Sequence, residues 1–215
     1  MSAIFPKGFD TTVRLAGGVA LVAVGAVTAV GLYLTHPRQI DTGYTPVQPV
    51  AYSHKLHAGN LGLDCTYCHY TVDKSSFAAV PPTEVCMNCH VRVKDKSPKL
   101  QLIRESFATG EPVPWVKVHR LPDYVYFNHQ AHVTAGVSCV SCHGRVDQMV
   151  EVRMVQPLSM AWCLDCHRNP APNVRPVEFV TKLDWKPEGD PAELGWKLIQ
   201  AKHINPPTNC SGCHR

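Results

Sequence analysis

Asn128-His129-Gln130-Ala131-His132, Cys139-Val140-Ser141-Cys142-His143, Met160-Ala161-Trp162 and Cys163-Leu164-Asp165-Cys166-His167 follow one another in the stretch from Asn128 to His167. Cys-x-x-Cys-His is the spacing of c-type haem attachment. The two thiols add to the porphyrin vinyl groups as thioethers, and the adjoining histidine becomes the proximal iron ligand. A single Cys-x-x-Cys would equally suit a zinc half-site or a thioredoxin-like pair. Repetition separates these readings.

Working outward, Cys65-Thr66-Tyr67-Cys68-His69, Cys86-Met87-Asn88-Cys89-His90 and Cys210-Ser211-Gly212-Cys213-His214 repeat the same pattern, and the five motifs use all ten cysteines. Zinc would not require a histidine directly after every second cysteine, and a disulfide framework would not require the fixed two-residue gap. The expected cofactors are therefore five covalently bound haem c groups. They would be attached through Cys65, Cys68, Cys86, Cys89, Cys139, Cys142, Cys163, Cys166, Cys210 and Cys213, with His69, His90, His143, His167 and His214 as proximal ligands.

Five large apolar discs shared among so few residues leave little room for an ordinary core. The chain has only six Phe, against eighteen Pro and fourteen Gly. The expected fold class is mainly α and irregular: a single N-terminal transmembrane helix followed by a multihaem cytochrome c domain of short helices and long loops. The formal charge of +4 would be offset by haem propionates. The basic residues are scattered, which excludes a nucleic-acid-binding surface.

Leu15 to Leu34 runs without a charge, enough as a helix to cross a hydrocarbon core of about 30 Å. A cleaved signal peptide has a shorter apolar region ending in small residues. Here the run is longer and ends Gly31-Leu32-Tyr33-Leu34, so an uncleaved signal-anchor is expected. Lys7 and Arg14 before the run and Arg38 after it bias orientation only weakly. Covalent haem attachment on the outer side of the bacterial cytoplasmic membrane decides it, with the haem domain on the periplasmic side. Gly17, Gly18, Gly25 and Gly31 would suit packing against other membrane helices, or simply reflect how common glycine is in such helices.

The expected organisation is an anchor over 1–34, a Pro-rich linker over 35–51, a di-haem module over 52–110 and a tri-haem module over 111–215. Ser97-Pro98 should cap a helix with Leu100, Ile103 and Phe107 on one face and Gly110 at its end. Asp190-Pro191-Ala192-Glu193 should open a second, with Leu194, Leu198 and Ala201 inward. A weak repeat is visible: His54-Lys55-Leu56-His57 and His129-Gln130-Ala131-His132 each precede a pair of closely spaced motifs.

Those two His-x-x-His pairs supply four candidate distal ligands, His54, His57, His129 and His132, because residues three apart on a helical turn face one way. Their placement resembles that of the cytochrome c3 and c7 family. There the first histidine of a pair ligates the following haem, the second ligates a later one, and a further His shortly before the next motif ligates the last haem; at the matching place here stands Met160. The resemblance implies His54 for the first haem, His57 for the second, His129 for the third, His132 for the fourth and Met160 for the fifth. Met149 and Met154 are alternative fifth ligands, and all three methionines could be core residues. His119 and His203 are expected to be structural, and His36 solvated.

The whole chain also resembles the pentahaem cytochrome subunits of alternative complex III, of the ActA type. The phrases that carry it are Gln48-Pro49-Val50-Ala51-Tyr52-Ser53-His54-Lys55-Leu56-His57, Leu121-Pro122-Asp123-Tyr124-Val125-Tyr126-Phe127-Asn128-His129, Leu158-Ser159-Met160-Ala161-Trp162-Cys163 and the terminal Cys210 to Arg215. The resemblance implies an electron-transfer subunit, without a catalytic site of its own, in a membrane quinol oxidoreductase. Its partners would be an iron-sulfur subunit, polytopic quinol-binding subunits, a monohaem cytochrome c and a soluble electron acceptor. An alternative is a stand-alone membrane-anchored quinol dehydrogenase feeding a periplasmic reductase. A catalytic multihaem reductase would need an iron without a distal ligand beside acid-base residues, and the ligand count leaves none.

Purified protein should contain five haems per chain by pyridine haemochrome assay against protein mass. A ratio clearly below five contradicts the motif count.

Overall fold

A computed structural model describes residues 4–6 and 8–214. Lys7, invoked above for orientation, and Arg215, the last residue of the terminal phrase, lie outside the described residues. The chain divides into two compact units, Met1–Ile40 and Asp41–Arg215.

The first unit is built on α1, Phe9–Leu34. Ala, Leu and Val without an interior proline favour the helix. It starts after Gly8 in the left-handed region, six residues ahead of the charge-free run, and so takes in an exposed Asp10–Arg14 pair at 3.6 Å. Thr35 closes it by donating its backbone N–H to Gly31. No residue of α1 is buried, and its mean hydropathy reaches 2.2. Length and composition are those of a single-pass membrane anchor. A short helix α2, Pro37–Ile40, follows within the expected linker.

The second unit holds a π-helical turn over Lys55–Asn60 and seven helices: α3 Cys65–Cys68, α4 Thr83–His90, α5 Gln101–Thr109, α6 His129–Ala135, α7 Cys139–His143, α8 Met160–Arg168 and α9 Pro191–Lys202. The described residues form no strand, only isolated bridges pairing Val125 with His214 and Val137 with Val174. The expected fold of short helices and long loops is therefore the one observed. Buried apolar residues form two small clusters. One is Val50, Ile103 and Val113, and the other Ala171, Val174 and Ile199.

Two helix expectations need correction. Pro98–Leu100 forms a separate 3₁₀ turn and Ser97 caps nothing through its side chain. In α5 the buried residues are Ile103 and Ser106, while Phe107 is half exposed. The reason is the return of the chain after Gly110 (φ 77°), which lets Ser106 Oγ donate to the Glu111 carbonyl at 2.6 Å and turns that face inward. In α9, Asp190 does cap, accepting from Ala192 N–H at 2.9 Å, but Glu193 pairs with Lys197 and does not reach back to the cap. The buried residues are Gly195 and Ile199, and Ala201 is exposed. Here α9 lies so close to the turn Ala171–Asn173 that a Cβ at Gly195 would collide with the Ala171 carbonyl oxygen. Only glycine permits that approach, and it sets the rotation of the helix.

Hydrogen bonds run freely between the segments before and after residue 110. Gln48 brackets Val116 with two bonds, and Lys55 N–H donates to Met149. His129 and Gln130 N–H donate to Ser76 and Ser75. Thr181 Oγ1 donates to the Asp64 carboxylate at 2.9 Å.

Candidate haem sites

Each attachment motif is positioned by a short helix or turn. Asp64 accepts from Thr66 N–H to cap α3, and Ser138 caps α7 while its hydroxyl donates to the Val180 carbonyl at 2.7 Å. Ser159 caps α8 through Trp162 N–H. One helical turn then carries both thiols of a motif on the same face, and the histidine that follows closes the turn. The fifth motif uses a 3₁₀ turn, Cys210–Gly212, for the same purpose.

Seven of the imidazoles are held in the same way. Nδ1 of His69 bonds the Ala79 carbonyl at 2.9 Å, His90 that of Val93 at 2.9 Å, His167 that of Pro207 at 2.6 Å and His214 that of Tyr124 at 3.3 Å. The His-x-x-His segments repeat it: His57 Nδ1 to Ser53 at 2.9 Å, His132 Nδ1 to Asn128 at 2.7 Å and His129 Nδ1 to Ser76 at 3.1 Å. A carbonyl only accepts, so in each ring the proton sits on Nδ1 and Nε2 presents its lone pair. That tautomer is the one a metal ligand needs.

Three ring pairs stand at axial spacing. A metal–imidazole bond of about 2 Å on either side of one iron, with roughly 1 Å more to each ring centre, separates the centres by about 6 Å. His57 and His90 are 6.2 Å apart, His129 and His143 6.5 Å, and His132 and His167 6.1 Å. His54 faces the first motif: burial, then His69 and His57, push its imidazole down to about 4. Its buried Nδ1 has no hydrogen-bond partner. Burial, then His119 and His129, push His143 down to about 3. These rings are neutral, as ligands must be.

The thiols and the apolar surface also fit haem. Burial, then Cys166 and Cys163, push Cys142 up to about 12, the direction of an inert buried thiol and opposite to that of a redox-active one. No three His, Cys, Asp or Glu side chains among the described residues converge as a metal-ion site. Leu61, Tyr70, Phe77 and Val80, close in sequence to the first two motifs, are exposed and would offer apolar surface to porphyrin faces.

Contacts between motifs define a row. Asn88 of the second donates to the Tyr67 hydroxyl of the first at 3.1 Å. The thiols of Cys65 of the first and Cys139 of the third lie close enough to influence each other, which pushes Cys65 up and Cys139 down. Cys142 of the third feels Cys166 and Cys163 of the fourth, and Cys163 feels Cys213 of the fifth. The order along the row is second, first, third, fourth, fifth.

The remaining candidates fall apart from one another. Met160 opens α8 and is two-thirds exposed, one turn from Cys163, which faces the fifth motif. Met149 and Met154 are buried, and their backbones pair with Lys55 and with Gly43 and Tyr44. His36 is exposed, and its Nδ1 accepts from Arg38 N–H. His203 ends α9 in the left-handed region at φ 54°. His119 lies against His143, with Nε2 3.3 Å from Nδ1.

Sequence reading passed over Tyr52 and Phe127. Tyr52 packs edge-on to His54 at 4.8 Å and stacks on His57 at 4.5 Å; Phe127 packs edge-on to His129 at 4.7 Å and stacks on His132 at 4.5 Å. Extending the His-x-x-His repeat two residues upstream would have found both.

Residues 125–215, which hold the third to fifth motifs, match the family described as cytochrome c7 and related cytochrome c. This part of the chain is a cytochrome c7-like multihaem domain. The match indicates covalently bound haem c. Over 129 residues the chain is 33% identical to the menaquinone reductase multihaem cytochrome c subunit of Nitratidesulfovibrio vulgaris (strain Hildenborough). The aligned part spans 59% of this chain and 60% of that relative. The chain thus shares a cytochrome c7-like region with multihaem cytochromes c and is similar over part of its length to a menaquinone reductase subunit.

Replacing His57 with Ala should leave haem content unchanged, because Cys86 and Cys89 remain, while one haem turns from low-spin to high-spin. An unaltered low-spin spectrum would remove His57 from the ligand set.

Proposed function

We propose that this chain is a membrane-anchored pentahaem cytochrome c subunit of a quinol:electron-acceptor oxidoreductase of the alternative complex III kind. It relays electrons from an iron-sulfur subunit to a periplasmic cytochrome c or another soluble carrier. The observation that carries this reading is the set of imidazole pairs 6.1–6.5 Å apart, joined to the row of five motifs. Haem c supplies one-electron redox chemistry when bound. The residues do the rest. His54 with His69, His57 with His90, His129 with His143 and His132 with His167 would hold four irons, and His214 with Met160 the fifth. With two protein ligands for each iron, the groups would serve electron transfer and not substrate binding.

Helix α1 anchors the subunit in the cytoplasmic membrane, with residues 35 onward on the periplasmic side, where haem is attached. The di-haem and tri-haem modules, 52–110 and 111–215, correspond to two units of the His-x-x-His repeat. The relative's name favours a second reading, in which the same row of sites delivers electrons toward menaquinone and not away from quinol. Affinity purification of the tagged cytochrome from detergent-solubilised membranes distinguishes these. The first reading expects co-purification with polytopic quinol-binding and iron-sulfur subunits and quinol-dependent reduction of a soluble cytochrome c. Catalysed menaquinone reduction alone selects the second. A cytochrome that purifies without partners and passes electrons from quinol to a periplasmic reductase overturns both in favour of a stand-alone quinol dehydrogenase.

Thioether ligation raises a haem's potential relative to bis-histidine ligation, so Met160 at the fifth motif would make that end of the row the electron exit. Met160→His should lower one midpoint potential and abolish the red charge-transfer band of Met-ligated ferric haem. Persistence of that band excludes Met160.

A further inference from the structure

We propose that His119 is a positioning residue for the third haem site. It accepts the Nδ1 proton of His143 on its own Nε2, fixes that ring and lowers the potential of the haem attached at Cys139 and Cys142. The proposal rests on the reading of His143 as a proximal ligand.

Among the five motif histidines, four give the Nδ1 proton to backbone carbonyls. His143 instead faces a second imidazole at 3.3 Å. The ring centres of His119 and His143 are 4.3 Å apart with planes at 80°. That spacing is too short for an iron between them and suits an edge-on hydrogen bond. The ring at axial spacing from His143 is His129, at 6.5 Å and nearly parallel. His143 therefore uses Nε2 toward iron and Nδ1 toward His119, and His119 carries its own proton on Nδ1.

His119 is held in place. Val116, three residues earlier, is clamped by Gln48 through both its N–H and its carbonyl. Arg120 donates to the Lys117 carbonyl at 3.3 Å and lies over the Tyr44 ring at 5.5 Å. An imidazole nitrogen is a stronger base than an amide oxygen and draws the shared proton further from His143. The donor ring becomes more basic toward iron, as when other outer partners orient a ligating histidine. A more basic axial ligand favours ferric over ferrous iron, and the potential falls. Because the third motif occupies the middle of the row, this shift sets the step that links the first site to the fourth.

The test uses the full-length cytochrome in detergent. His119→Phe removes the acceptor and His119→Asn replaces it with a carbonyl oxygen. With haem content equal to wild type, His119→Phe should raise one midpoint potential and alter the ferric electron paramagnetic resonance of one low-spin haem. His119→Asn should raise the same potential by less. Five unmoved potentials in either variant overturn the proposal. The wild-type protein gives an independent check. In the reduced, diamagnetic state, nitrogen-15 histidine spectra should show coupling across a His143 N–H···N bond, and its absence with five haems bound overturns the proposal alone. A wild-type peptide containing Cys139 to His143 that carries no haem by mass spectrometry instead overturns the functional reading beneath it.

Discussion

A neutral imidazole can give iron one nitrogen while the other keeps its proton, and much of the architecture of residues 41–215 serves to receive that proton. Seven rings donate Nδ1–H to backbone carbonyls. Some acceptors are local, such as Ser53 for His57 and Asn128 for His132. Others come from far along the chain: Pro207 for His167, Tyr124 for His214 and Ser76 for His129. The distant acceptors tie loops that have no regular structure of their own to the sites they serve. A buried polar atom without a partner is costly, so these bonds fix loop conformation as well as tautomer. The long connections between short helices are in this sense part of the sites.

The two His-x-x-His segments are the same device built twice. In each, an aromatic two residues ahead stacks on the second histidine and meets the first edge-on, and the carbonyl between them accepts from the second ring. The backbones differ, a π-helical turn in one and an α-helix in the other. Ring placement is therefore set by the aromatic wedge and the shared carbonyl more than by helix type. The segments also cross the expected module boundary. The turn at Lys55–Asn60 seats Gly59 against the Asp147 carbonyl, and His129 and Gln130 hang from Ser76 and Ser75. Each segment is pinned by residues near a motif other than the one it precedes, as a ligand shared between neighbouring sites would require.

Small apolar clusters complete this arrangement and do not drive it. Val50, Ile103 and Val113 lie behind the second motif, with Cys86 and Met87 packed against them, and Ala171, Val174 and Ile199 lie under α9. The chain invests its apolar surface near the motifs, where side chains such as Phe77 and Val80 stay exposed. Folding and haem attachment are accordingly coupled in energy, as in other small domains whose core is completed by a bound group.

The sequence by itself pointed to covalent haem c, because Cys-x-x-Cys-His motifs are local patterns whose meaning lies in spacing. It also determined the helix-and-loop fold class and α1, since an uninterrupted apolar run leaves few alternatives. Tertiary structure decided whatever depends on which distant backbone meets which ring. The row order of the motifs rests on contacts such as Tyr67 with Asn88 and Cys65 with Cys139, which no local pattern encodes. The inward face of α9 turned on the close approach at Gly195, and that of α5 on the Ser106–Glu111 bond. His119 shows the difference most clearly: as a lone histidine in a loop it carries no signal, and only the fold sets it against His143, twenty-four residues away.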